Sequence, residues 1–261
     1  MARLLEIRVP GDPSVECGLL RDLELEAMTI AAQGAYDFNN ILDDLAYSFA
    51  SDPAMFSALE DPLSSYLPRS ETHCALQNRT LGERGSLRAL DGVALSDVLR
   101  SDKSFLDALL AVQSLSLSEL AHVRPGNIFS TADDMGTRKL FPPSDQILPL
   151  FAKVVRTARE LGESSQLLAA IYIYNMILVI HPFRDGNGRV GRIMLNWQFR
   201  MIVPGFDYLP LYETRQYSMG GWLLALRRVE RQDDWQALIR YIQNVSAVWR
   251  IVLERKAQRR I

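Results

Sequence analysis

Cysteine is almost missing from this sequence: Cys17 and Cys74 are the only two in 261 residues. A disulfide framework and a paired CxxC metal site are thereby excluded, and a reducing compartment fits. An excess of one charge is missing too, since the formal net charge is −2. That balance gives no overall attraction to a phosphate backbone and disfavours a general nucleic-acid binder. The basic ending with Arg250, Arg255, Lys256, Arg259 and Arg260 is a local patch. It reads as a solvated helix end whose cations suit the dipole. Long hydrophobic runs are also lacking. Met1 to Pro10 mixes Arg3, Glu6 and Arg8 among apolar residues, unlike a signal peptide. The most apolar stretch, Leu167 to Ile180, is interrupted by Asn175 and is too short to span a bilayer. A soluble, cytoplasmic protein with no membrane and no nucleic-acid partner is the expectation.

Hydrophobic residues make up 48% and charged residues 23% of the chain, enough for one large domain or a domain with an appendage. Apolar spacing predicts helices over Cys17 to Gln33, Asn39 to Ala50, Phe105 to Val112, Ser116 to Val123, Asp145 to Leu161, Ser164 to Ile180, Asn187 to Met201 and Trp235 to Lys256. Strand patterns are nearly absent, so the fold class is all-α. Asp61 to Gly92, with Pro62, Pro68, Gly82, Gly85 and Gly92, reads as a connection. It separates an N-terminal helical region, 1–92, from a core, 93–261. Between Pro125 and Pro143, turn residues flanked by Ile128, Phe129, Leu140 and Phe141 predict a short β-hairpin or flap. Ser144 then suits the N-cap of the next helix.

Residues 181 to 192 read His-Pro-Phe-Arg-Asp-Gly-Asn-Gly-Arg-Val-Gly-Arg. Pro182 disfavours helical geometry at His181, so the apolar helix ends there and presents an imidazole at the rim of the core. Phe183 pins the loop. Gly186 and Gly188 alternate with polar residues just before a helix, where backbone N–H groups and the dipole favour an anion. Arg189 and Arg192 project from one side of that helix towards a polyphosphate. Asp185 offers the single carboxylate that a nucleotide-bound magnesium needs. His181 is left as the candidate base. Taken singly, the histidine could be a cap, the glycines ordinary turn residues and the charges a surface cluster; together they describe a phosphate cradle beside a base.

This stretch resembles the signature of the Fic family, His-Pro-Phe-x-Asp/Glu-Gly-Asn-Gly-Arg-x-x-Arg, at each fixed position. The resemblance extends over roughly Ser116 to Tyr241. It implies a Fic-type helical core with a short β-hairpin flap and an N-terminal helical extension. It further implies a protein adenylyltransferase, a nucleotidyltransferase that uses ATP and Mg2+. On that basis His181 takes the proton from a target Ser, Thr or Tyr hydroxyl and Asp185 holds the metal. Gly186, Asn187 and Gly188 surround the α- and β-phosphates, and Arg189 and Arg192 engage the phosphate chain. Relatives that transfer phosphate carry lysine at the Gly188 position, so glycine there favours nucleotidyl transfer. The flap, Asn127, Ile128, Phe129 and Ser130 on one side with Arg138 and Lys139 on the other, docks a target segment by main-chain pairing. Tyr217 and Trp222 supply an adenine wall or else belong to the core.

Many family members also carry an inhibitory helix with the pattern Ser/Thr-x-x-x-Glu-Gly/Asn. The comparable run here is Thr29-Ile-Ala-Ala-Gln33-Gly34, with glutamine replacing the glutamate. Either it is a weakened brake, or Gln33 and Gly34 simply end a helix. The partner implied is a target protein, with self-modification and a dimer as further options. Transfer of UMP or GMP, and a toxin or partner-binding protein with weak catalysis, are the alternatives.

Overall fold

The computed structural model describes residues 4–34, 36–60, 73–117, 121–130, 138–218 and 220–259. In chain order its elements are β1 (Leu4–Glu6), α1 (Cys17–Ala32), α2 (Ile41–Ser51), α3 (His73–Leu87), α4 (Leu95–Val98), α5 (Asp102–Leu117), β2 (Arg138–Leu140), α6 (Ile147–Ser164), α7 (Gln166–Ile180), α8 (Asn187–Ile202), α9 (Leu211–Thr214), α10 (Gly221–Gln232) and α11 (Trp235–Gln258). Helix dominates, as the apolar spacing predicts. Among the described residues no helix is long and apolar enough to cross a membrane. The chain forms two compact units, residues 1–12 with 86–198 and residues 13–85 with 199–261.

In the first unit α6 packs against α5 and α7. Helix α6 buries Ile147, Phe151, Val154, Val155 and Ala158 along one face. Helix α7 has no polar face to offer: from Leu167 to Ile180 every residue but Leu178 is buried. A helix apolar all round belongs inside a core, and Ser165 starts it by accepting the Leu168 N–H at 3.2 Å. The expected hairpin needs correction. Among the described residues the flap contributes one strand, β2, and its ladder partner is β1, in parallel register with Leu4 opposite Arg138 and Glu6 opposite Leu140. On its other side β2 meets the outgoing flap through a single antiparallel bridge, Phe129 to Leu140. Ser130 N–H donates to Lys139 O at 2.9 Å and Phe141 N–H to Ile128 O at 3.3 Å. Residues 131–137, the middle of the expected flap, lie outside the described residues.

Other boundaries differ for local reasons. No helix runs from Ser116 to Val123: α5 carries on to Leu117, and residues 121–124 are non-helical. There Ala121 N–H turns to Ser114 Oγ at 3.1 Å, and Arg124 N–H goes to Pro182 O at 2.9 Å. Ser144 opens a short 3-10 turn ahead of α6 and makes no side-chain cap. Helix α3 stands inside the stretch that reads as a connection, and α10 is a helix that the apolar spacing did not single out.

In the second unit α1, α2 and α10 pack on α11. Tyr36, Phe38, Tyr208 and Trp249 meet edge to face or tilted, with Phe38 and Tyr208 centroids 5.7 Å apart. The basic end of α11 is not simply solvated. Arg250 pairs with Glu26 and Glu254, Arg255 with Asp52, and Lys256 and Arg259 with Asp44. Arg260 lies outside the described residues.

Candidate active site

The site begins where α7 ends. His181 closes the helix in the left-handed conformation, φ 53° and ψ 59°, with its N–H still bonded to Ile177 O at 3.0 Å. A non-glycine residue there is strained by about 1–2 kcal/mol, so its surroundings must hold it. They do so on three sides. Imidazole Nδ1 lies 3.2 Å from Leu178 O. A carbonyl can only accept, so Nδ1 carries the proton and Nε2 presents its lone pair. The Phe141 ring stacks on the imidazole with centroids 3.9 Å apart and planes 22° apart. The His181 carbonyl accepts from Arg124 Nε at 2.8 Å. Burial pushes the imidazole pKa down to about 4, and the Arg124 cation works in the same direction. The ring is thus neutral near pH 7, the form a general base requires.

After His181 the chain folds into a loop locked by its own side chains. Phe183 is fully buried. Asn187 reads both of that residue's main-chain groups, accepting the Phe183 N–H at 2.9 Å and donating to Phe183 O at 2.8 Å. Gly186 has φ 83°, and a Cβ there would sit 3.0 Å from Leu117 Cδ1, so backbone conformation and space both ask for glycine. Asp185 is exposed. One of its carboxylate oxygens accepts the Gly186 N–H at 2.7 Å, and its carbonyl is held by Gln113 Nε2 at 3.0 Å. The opening N–H groups of α8 have no acceptor within the helix, which makes this turn a seat for an anion.

Two arginines follow. Arg189 Nη1 donates to Ser116 O, the end of α5, at 2.5 Å. Arg192 is buried, and its Nη1 would lie 3.3 Å from a Cβ placed at Gly188. A side chain at 188 would therefore push directly on that guanidinium. Among the described residues no group of three or more His, Cys, Asp or Glu side chains could hold a metal alone. An exposed Asp185 carboxylate beside the anion seat fits a magnesium ion whose other ligands are phosphate and water oxygens.

The residues anticipated outside the loop have mixed surroundings. Asn127 Oδ1 accepts the Ser144 N–H at 3.3 Å, and Ser130 Oγ accepts the Lys139 N–H at 2.9 Å, so both brace the flap base. Phe129 stands half exposed and Arg138 exposed. In the second unit, Tyr217 packs on Phe49 and Phe56 at 4.9 and 5.1 Å between centroids, and burial pushes its hydroxyl pKa up. Trp222 holds the Arg215 guanidinium 4.5 Å above its ring. Also there, Thr29 donates to Leu25 O at 2.8 Å. Gln33 is exposed, and its N–H bonds back to Ile30 O at 3.1 Å. Gly34 follows with φ 81°. Gln113 and Arg124 went unnoticed in the sequence, and Phe141 was read only as a flank of the flap. The one signal was a polar residue, Gln113, within an apolar helical face.

An imidazole on a helix end, a glycine loop and a following helix with two arginines together define a class of site: an anion seat of the kind that holds phosphate, with a neutral imidazole close in the chain. The particular family follows from comparison with known proteins. The Fic/DOC family model matches residues 105–199. A protein from Aquifex aeolicus named as a probable protein adenylyltransferase is 41% identical over 59 residues, which is 22% of this chain and 18% of that one. The aligned part thus spans less than a fifth of that relative's length. In fold, the chain is similar to a Fic family protein from Desulfovibrio desulfuricans, with TM-score 0.53, 18% identity, and coverage of 95% of this chain and 77% of that one. It is similarly related to a segment of Fic-1 from C. elegans, with TM-score 0.53, 12% identity, and coverage of 94% and 74%. Residues 105–199, the stretch that carries the loop just described, are thus what this chain shares with the Fic/DOC family.

Proposed function

We propose that the chain is a protein adenylyltransferase, moving the AMP part of ATP onto a Ser, Thr or Tyr hydroxyl of a target protein or of itself. The supporting observation is the state of His181: a neutral ring, tied at Nδ1, with Nε2 left to accept a proton. In the reaction the hydroxyl oxygen bonds to the α-phosphorus while the bond from that phosphorus to the pyrophosphate oxygen breaks. The hydroxyl proton goes to Nε2, and pyrophosphate leaves with the electron pair. Asp185 would hold magnesium, whose chemistry is charge neutralisation on the phosphates. The α8 opening turn, Arg189 and Arg192 orient the triphosphate, so positioning and preorganised charge supply the acceleration. Both sides of β2 are taken within the chain. By strand alternation Phe129 turns its N–H and C=O away from β2, towards the edge where an extended target segment would pair.

Incubation with labelled ATP, GTP, UTP and CTP tests the proposal. Protein-bound label from ATP alone supports it. Label from another nucleotide redirects the base specificity, and no label at all points to a recognition role. A lysate treated with wild type and with His181→Ala, read by mass spectrometry, identifies the target through AMP-mass adducts lost in the variant. The Thr29 to Gly34 segment is proposed as a weakened brake. Gln33→Glu should reduce self-modification by roughly 5- to 30-fold, the range given by exchanging a neutral for a charged hydrogen bond; an unchanged rate makes it an ordinary helix end.

A further inference from the structure

Upstream of the flap stands an arginine that the loop chemistry above does not employ. Arg124 is 1% exposed, and each of its partners is a main-chain carbonyl. Nε donates to His181 O at 2.8 Å, Nη1 to Gly126 O at 2.7 Å, and Nη2 to Pro142 O and, at 3.4 Å, to Ile180 O. Its own backbone N–H reaches Pro182 O at 2.9 Å. These carbonyls come from three places: the end of α7 with the base, the entry to the flap and the exit from the flap. We propose that Arg124 is a positioning residue that fixes the base and both ends of the flap to one another through a single planar fork.

The physical case rests on what a buried guanidinium requires. A charge removed from water needs its donors filled, and here the carbonyls at the negative end of α7 provide the compensation. The plane of the fork dictates where those carbonyls sit, because its donors point in fixed directions. His181 occupies a backbone region it would not choose, and the Arg124 bond to its carbonyl is one of the restraints that keep it there. Pro142 is the neighbour of Phe141, the ring stacked on the imidazole. One side chain therefore sets both the backbone that carries the base and the exit of the flap beside the ring that covers it. Gly126 and Pro142 bracket the flap, so the distance between base and docking edge is set by the same fork. The anion loop is held separately, by Gln113, Asn187 and the start of α8. Arg124 should matter for transfer and target use far more than for ATP binding.

This inference rests on the adenylyltransferase proposal, and the test separates the two. Arg124→Lys keeps the charge but not the fork, and Arg124→Ala removes both. For each, nucleotide affinity by calorimetry, transfer kinetics and the ring 15N spectrum of His181 are measured. With three histidines in the chain, His181→Asn assigns that signal. The expected result is ATP affinity within about threefold of wild type, with kcat for transfer down by roughly 10²-fold, the scale of a small misplacement. KM for the target should rise, and the ring should show mixed tautomers with a pKa nearer 6.5. Transfer within threefold of wild type in Arg124→Lys overturns the inference. So does a parallel loss of ATP affinity and transfer, which would mark a merely structural role. If wild type transfers no nucleotide, the function fails, while the His181 tautomer in Arg124→Lys still decides the positioning: an unchanged single tautomer overturns it. Should neither variant fold, the wild-type Arg124 Nε–H decides, since exchange as fast as at exposed arginines contradicts the buried fork and slow exchange supports it.

Discussion

His181 owes its chemistry to its neighbours rather than to its identity. Its pKa of about 4 reflects burial first, and the bond to Leu178 O only partly offsets that. The protonated ring is disfavoured in the folded state, so the base is active above its folded pKa and is lost as pH falls through it. Initial rates should stay flat from pH 8 down to about 5 and fall only below that. An ordinary inflection near 6.5 in the wild type would contradict the buried geometry. The same shift links to stability: the unfolded chain takes up a proton near pH 6.5, the folded one near 4. This group therefore withdraws stability progressively as pH drops through that window. Phe141→Ala uncovers one face of the ring and should move the acid limb of the rate profile upward, towards 6.5. Gly221 makes a residue-scale prediction of a different kind. A Cβ there would lie 1.8 Å from Leu59 O, a backbone atom that no rotamer change can move. Gly221→Ala should cost about 3 kcal/mol, the upper range for overpacking, and a wild-type thermal midpoint would dismiss the contact.

Among the elements, those that present the loop were legible because their signals are local. Helix α7 is an apolar run stopped by Pro182, and α8 follows glycines and begins an amphipathic repeat, so period and punctuation sufficed. What holds the loop was not legible. Gln113 and Ser116 at the end of α5, Arg124 before the flap and Phe141 after it act on residues far away in the chain. Most of their partners are main-chain carbonyls, which leave no complementary residue to find. The flap went partly astray for a related reason: β2 takes its ladder partner from residues 4–6 rather than from the adjoining turn, and a three-residue strand has too short a pattern to announce that choice. The end of α5 yields a prediction of its own. Gln113→Leu keeps bulk yet removes the donor to Asp185 O, a part-buried hydrogen bond worth about 0.5–1.5 kcal/mol. Binding of ATP should weaken by roughly tenfold while the His181 ring spectrum stays as in wild type. An unaltered affinity would mean that Asn187 alone shapes the loop.

Across the whole molecule, each compact unit is assembled from two separate stretches of the chain. In the second unit ion pairs tie early and late helices together alongside their apolar packing, and because the partners lie far apart in the chain the C-terminal arginines and lysine looked merely solvated when read in isolation. Asp44 is the centre: 8% exposed, it accepts from Tyr36 Oη at 2.6 Å and pairs with Lys256 at 2.9 Å and Arg259 at 3.3 Å. Lys256 also sits 4.0 Å above the Tyr36 ring. Removing the carboxylate leaves a mostly buried ammonium and a phenol without their acceptor, whereas removing Arg259 deletes a partner whose side chain is 37% exposed. Breaking a buried pair from one side costs about 3–5 kcal/mol, while an exposed partner is worth under about 1 kcal/mol. Asp44→Ala should therefore lower the thermal midpoint by roughly 6–20 °C at the usual 2–4 °C per kcal/mol for a chain of this size, and Arg259→Ala by no more than about 4 °C. Equal shifts in the two variants would mean that the Asp44 carboxylate is hydrated in solution and that apolar packing of α1, α2 and α10 on α11 joins the ends without it.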